Sequence, residues 1–207
     1  MRFQRKGPFG VSDQVKVNDV GDVVLDDARQ LRALADADRL AVFTRLQRHG
    51  PADVAELASG LDRDHGVVTA ALGELAAAGL VDASDETWRA PGRGLFLQLP
   101  EGDPEAARAA RDLSGVMLLA VAHLPHEWVE QVEPGLDDAW AGAAGLFNAG
   151  VALTSDELNR VQEDLEVLLM PYLNRSESDR PADARQVRIL AYFLPGNPSE
   201  ERPGAAG

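Results

Sequence analysis

The sequence predicts a mainly helical α+β chain in two parts, a compact helical domain carrying a β-hairpin and then a mixed α/β C-terminal unit. Three observations carry this. Between residues 31 and 75 apolar side chains recur at helical spacing, and Asp, Gly and Pro punctuate the segments. Residues 80–89 then read strand, turn, strand. The charge also shifts along the chain: residues 1–26 carry 4 basic and 4 acidic side chains, residues 27–100 carry 8 and 11, and residues 101–207 carry 8 and 19.

Taken in order, residues 1–25 mix Gly and polar residues with Val15, Val17, Val20, Val23 and Val24, which predicts a flexible arm ending in a short extended segment. Asp26 or Asp27 caps a first helix with Leu31, Leu34 and Ala35 as its apolar stripe. Asp38 reads as the next cap. The second helix turns Leu40, Val42, Phe43 and Leu46 inward and ends at His49 and Gly50, where glycine accepts positive φ. Pro51 reads as the start of a third helix that buries Val54, Leu57 and Ala58 and stops at Gly60. Asp62 or Asp64 then caps a fourth helix running to Ala78, with Val68, Leu72 and Leu75 inward and Gly79 just past its end. Two short helices joined by so tight a link make a helix-turn-helix. The hairpin Leu80-Val81-Asp82, Ser84-Asp85-Glu86, Thr87-Trp88-Arg89 would be its wing, giving a winged helix-turn-helix domain over residues 26–99.

Pro91-Gly92-Arg93-Gly94 and Pro100-Glu101-Gly102 bracket residues 95–99, and the composition places a domain boundary near Pro100. Residues 100–195 read as a helical C-terminal domain with short strands, a dimerisation or sensor unit. Asp103-Pro104-Glu105 starts a helix that runs toward Leu124, where Pro125 kinks or ends it. Residues 126–132 resume helical spacing, and residues 146–153 read as extended. Thr154-Ser155-Asp156-Glu157 is a capping box that opens a helix over residues 155–173. Val187, Ile189, Ala191 and Phe193 alternate with Arg188, Leu190 and Tyr192 as in a strand, and residues 196–207 read as a disordered tail.

Composition narrows the function. With no cysteine among 207 residues, disulfides, thiolate metal sites and cysteine nucleophiles are excluded. The basic N-terminal stretch leads into no apolar signal core, and the longest apolar run, residues 116–122, is too short to span a bilayer. A cytoplasmic chain without membrane contact is expected. The net charge of −14 lies largely after residue 100, so any contact with phosphate is expected before Pro100.

Leu31-Arg-Ala-Leu-Ala-Asp-Ala-Asp-Arg-Leu-Ala-Val-Phe43, His49-Gly-Pro-Ala52, Gly66 in the fourth helix, Ala78-Gly-Leu-Val81 and Trp88-Arg-Ala90 follow in characteristic order and spacing. Together they resemble the ArsR-like winged-helix regulators of actinobacteria over residues 24–94. From Leu153-Thr-Ser-Asp-Glu-Leu158 to Pro195 the chain more loosely resembles the C-terminal extension of many such proteins. The resemblance implies a DNA-binding transcriptional regulator: a homodimer on double-stranded DNA, its fourth helix in the major groove and its wing on the backbone.

The fourth helix departs from that pattern. Relatives present hydroxyl, amide, His, Tyr or Arg groups there, whereas the outward positions here are His65, Gly66, Thr69, Ala70 and Gly73. Only His65 and Thr69 offer hydrogen bonds, Glu74 repels phosphate, and the bidentate Arg or Asn pairings that discriminate bases are missing. Arg63, Arg89 and Arg93 are the expected phosphate contacts. The small residues Gly66, Ala70 and Gly73 suit either close approach to DNA or a flat surface for another protein. Two alternatives therefore stand beside DNA binding: a winged-helix module that binds protein, and a repressor that responds to a small-molecule effector.

Other groups carry less. His123 and His126 sit three apart, yet Pro125 disturbs their helix, and ordinary surface histidines explain them better than metal ligation. Trp128, Trp140, Phe147 and Tyr172 fit core or dimer packing better than an effector pocket. Trp88 reads as an anchor for the hairpin rather than a contact to DNA. The acidic pairs at 26–27, 137–138 and 156–157 read as helix caps or solvated faces. No set of residues has the context that catalysis requires, so neither an enzyme, a cofactor nor a bound metal is expected.

Overall fold

The computed structural model describes residues 15–19, 21–84, 86–98 and 102–196, and the chain divides into two compact units between Leu146 and Phe147. Helices dominate, with two small sheets, so the class is α+β.

In the first unit, strands β1 (Lys16–Val17) and β2 (Asp22–Leu25) pair antiparallel across a turn in which the Asn18 side chain accepts from the Asp22 amide at 2.8 Å. Val23, Val24 and Leu25 are buried. The expected extended segment is therefore part of the core rather than the end of an arm; residues 1–14 lie outside the described set. Asp27 caps α1 (Ala28–Leu34), accepting from the amides of Arg29 and Gln30.

The next cap is Asp36, not the expected Asp38. Asp36 has the extended backbone of a cap and accepts from the Arg39 amide, so α2 (Ala37–His49) begins one position before Asp38. It ends at Gly50, φ +82°. Pro51 does not open the third helix either. Ala52 stays extended because its N–H and C=O pair with the backbone of Trp88 at 3.1 and 2.8 Å. Helix α3 (Val54–Leu61) starts instead on a capping box between Asp53 and Glu56, carries Gly60 inside it, and stops at Asp62 in the left-handed region, φ 53°. Helix α4 (His65–Ala77) follows, with Asp64 at its cap position making no side-chain cap bond. Gly79, φ +73°, turns the chain into β3 (Asp82–Ser84) and β4 (Thr87–Arg89).

Strand β5 (Gly94–Leu97) returns to the first sheet and pairs parallel with β2, giving the order β1-β2-β5. Gly92 is required where the strands meet. At φ +67° a Cβ there would lie 2.8 Å from the Gly21 carbonyl oxygen.

Helix α5 (Pro104–Val121) begins on Asp103 and packs against α1 and α2. Its Ala106, Ala109, Ala110 and Leu113 join Leu31, Leu34, Phe43, Leu46, Leu57, Leu72 and Leu75 in one core. The domain boundary expected near Pro100 therefore falls inside the first unit, because α1 and α2 would lose apolar cover without α5. Small alanines let the helices approach closely, and Arg32 of α1 pairs with Glu105 of α5. Pro125 sits in the first turn of α6 (Leu124–Glu127), which runs into a π-helical turn (Trp128–Val132) and a 3-10 turn (Glu133–Gly135). Asp137, one of the acidic pair read as a cap or a solvated face, caps the short helix α7 (Asp138–Ala143).

The second unit holds α8 (Ser155–Leu173), opened by the expected capping box of Thr154 and Glu157. Two bonds from Thr154 hold the Glu157 carboxyl below its ordinary pKa. None of the α8 side chains is buried. The strand expected over residues 187–193 does not form, and no strand occurs among the described residues of this unit. A strand needs another strand to take its N–H and C=O groups, and the described residues of one chain supply none there.

Candidate nucleic-acid interface

The α3-turn-α4 segment is positioned from below. Val68, Ala71, Leu72 and Leu75 of α4 are buried, as are Leu57 and Ala58 of α3. With that face committed to the core, helical geometry forces the alternate positions outward. His65, Gly66, Thr69, Ala70 and Gly73 are all exposed and share the open face. A Cβ built at Gly66 or Gly73 meets nothing within 4 Å, so the surface is level and uncovered.

The three arginines expected to contact phosphate are each held by a different part of the fold. Arg63 Nε donates to Asp38 Oδ1 at 2.7 Å and one Nη donates to the Asp62 carbonyl at 3.1 Å. Its pKa is raised above the usual arginine value, first by the hydrogen bond to Asp38 and then by that carboxylate's charge. Arg89, half-buried in β4, faces Asp82 of β3 in the hairpin register. Arg93 donates its amide to the Gly21 carbonyl at 2.9 Å, and its side chain lies over the β1–β2 turn. Its charge acts on Asp22, whose pKa is nevertheless raised because burial outweighs the nearby cation. Each arginine thus has a carboxylate neighbour from another element. Spacing along the sequence gives no signal for that, since the partners lie 25 residues apart for Arg63 and 71 for Arg93.

The helix pair is rich in carboxylates. Asp53, Glu56, Asp62, Asp64 and Glu74 lie in or beside α3 and α4, against Arg63 alone as a formal cation in residues 53–77. The sequence reading singled out only Glu74. Two open grooves flank α3: one of about 420 Å³ holds Ser59, Asp62, Arg63, Asp64 and His65, and the other, about 600 Å³, holds Arg45, His49, Glu56 and Ser59. Trp88 packs against the core, consistent with an anchoring role for the hairpin.

The remaining sequence candidates are placed as follows. His123 pairs with Glu127 at 3.7 Å and His126 with Glu130 at 3.2 Å. Among the described residues no group of three or more His, Asp or Glu side chains is placed to hold a metal ion. Trp128 and Trp140 are partly exposed, Phe147 is 93% exposed, and Arg175 lies 5.2 Å above the Tyr172 ring. No described helix is long and apolar enough to cross a membrane.

Comparison with protein-family models finds no match, and a search of curated proteins finds none.

Proposed function

We propose that this chain is a DNA-binding transcriptional regulator that acts as a homodimer through a winged helix-turn-helix. In this reading α3 and α4 are the helix pair, α4 enters the major groove, and the β3–β4 hairpin is the wing. The observation that carries it is the face of His65, Gly66, Thr69, Ala70 and Gly73, exposed together on a helix whose other side is locked into the core. A helix this bare permits close backbone approach, so affinity comes from phosphate contacts and groove shape more than from base readout. A two-fold dimer would set its α4 helices about 34 Å apart, in successive major grooves, and act by occupying the site.

Footprinting on genomic fragments, with binding followed against salt, tests this. Arg63, Arg89 and Arg93 from two subunits meet about six phosphates, so log affinity falls against log salt with a slope of about −5. A variant with all three changed to Ala loses most of that slope. A slope near zero for the wild type removes DNA from the reading.

A protein partner is the second reading. The carboxylates around α3 and α4, and the Asp38 bond to Arg63, favour a neutral or basic protein surface over phosphate. It predicts binding that weakens little between low and moderate salt, and no protected DNA.

A further inference from the structure

We propose that residues 186–194 become a β-strand only in the dimer, pairing antiparallel with the same residues of a second copy, with the two α8 helices covering that ribbon as a second layer. This rests on the homodimer reading and names the surface that makes it.

Residues 187–193 have the composition of a strand. Val187, Ile189, Ala191 and Phe193 fall on one face and Arg188, Leu190 and Tyr192 on the other. In the single chain they form no ladder, and Val187, Ile189 and Tyr192 are about half exposed, at 56, 58 and 48%. Helix α8 shows the same incompleteness. Leu158, Val161, Leu165, Leu168 and Tyr172 follow a three-four spacing that draws one apolar stripe, while Asp156, Glu163 and Glu166 fall on the opposite side. Not one of these is buried.

The amount of open apolar surface indicates a second copy. Twelve large apolar side chains of the second unit are exposed among the described residues. Seven of them, Val161, Leu168 and Tyr172 on α8 and Val187, Ile189, Tyr192 and Leu194 in the strand segment, lie on the proposed interface, and at roughly 80 Å² each they come to about 560 Å² per chain, the upper end of what a monomer ordinarily leaves open. Two chains would then bury about 1,100 Å² from these side chains alone, enough for a specific interface.

The segment also complements itself. A two-fold axis at Leu190 sets Val187 opposite Phe193, Ile189 opposite Ala191, and Arg188 opposite Tyr192. Arg188 is the only charged residue from 187 to 193, and this register gives it an aromatic ring to face instead of its own copy. Two strands alone are marginal, and a helix layer is what makes such a ribbon stable. The α8 stripe supplies it.

The absence of cysteine makes the register directly testable in the full-length chain. Leu190→Cys puts two thiols across the axis, where facing Cα atoms lie about 4.5–5.5 Å apart, within disulfide range. Val187→Cys puts them about 20 Å apart. The expected result is rapid covalent dimer formation on mild oxidation of the Leu190→Cys protein and little for Val187→Cys. Ile189→Asp should weaken self-association at least 100-fold in sedimentation equilibrium, with the helical circular dichroism of the first unit retained because its core contains no residue of this segment. A monomeric wild type overturns the homodimer reading and this inference with it. A dimeric wild type whose two cysteine variants cross-link alike, or whose Ile189→Asp variant stays dimeric, overturns the strand pairing and leaves the dimer standing.

Discussion

At Asp22 two opposing influences act on one carboxylate. Burial against the parallel strand pair disfavours its charge, Arg93 favours it, and burial is the larger, so the pKa is raised. A carboxyl whose folded pKa exceeds its unfolded value is most costly where it is ionised. The cost is present in full above the folded pKa and disappears as pH falls below the unfolded one. Asp22→Asn is therefore expected to raise Tm at pH 7 and to lose that advantage near pH 3. Thermal melts of both proteins across that range check it, and a variant less stable than wild type at pH 7 would contradict the balance. Arg63 shows the same local economy of charge. Its bond to Asp38 is an exposed pair worth little to stability, yet it aims the guanidinium and offsets part of the positive charge that the DNA reading depends on.

Helix α4 is the element on which stability and function pull apart. Glycine inside a helix costs about 0.5–1 kcal/mol relative to alanine, and a methyl group at position 73 has nothing to strike. Gly73→Ala is expected to stabilise the fold by about that amount in urea titration. If α4 approaches DNA closely, the same change weakens binding, and unchanged affinity would assign Gly73 no part in contact. The element boundaries show why composition alone mislaid some caps. Two aspartates near the start of α2 are equivalent as residue types, but only Asp36 has the extended backbone that turns its carboxylate toward the helix amides. Likewise Pro51 is a good first residue for a helix, but the pairing of Ala52 with Trp88, 36 residues away, keeps the chain extended until Asp53.

For the whole molecule, α5 is part of the first core, and a chain cut near Pro100 is expected to lose stability. Leu113 is fully buried beside α1 and α2, and Leu113→Ala is expected to cost about 2–5 kcal/mol. Chemical denaturation of the full-length variant measures it. A cost under 1 kcal/mol would restore the boundary at Pro100. The unequal character of the two units matters as much: one holds a core of many buried side chains, while the other has a well-capped helix and no buried residue among those described.

The sequence by itself determined what is local. Caps at Asp103 and Thr154, the stop at Gly50, the inward stripes of α2 and α4, and the hairpin that carries Trp88 all depend on residues within a few positions of one another. The outward set on α4 followed from the same periodicity, which is why His65, Gly66, Thr69, Ala70 and Gly73 stand together as expected. Only the tertiary structure decided what depends on distant partners: β2 against β5, α5 against α1, Asp38 on Arg63, and the lack, among the described residues, of any strand beside residues 187–193. Such contacts form by closing loops of many residues, and no pattern along the chain records which loop closes.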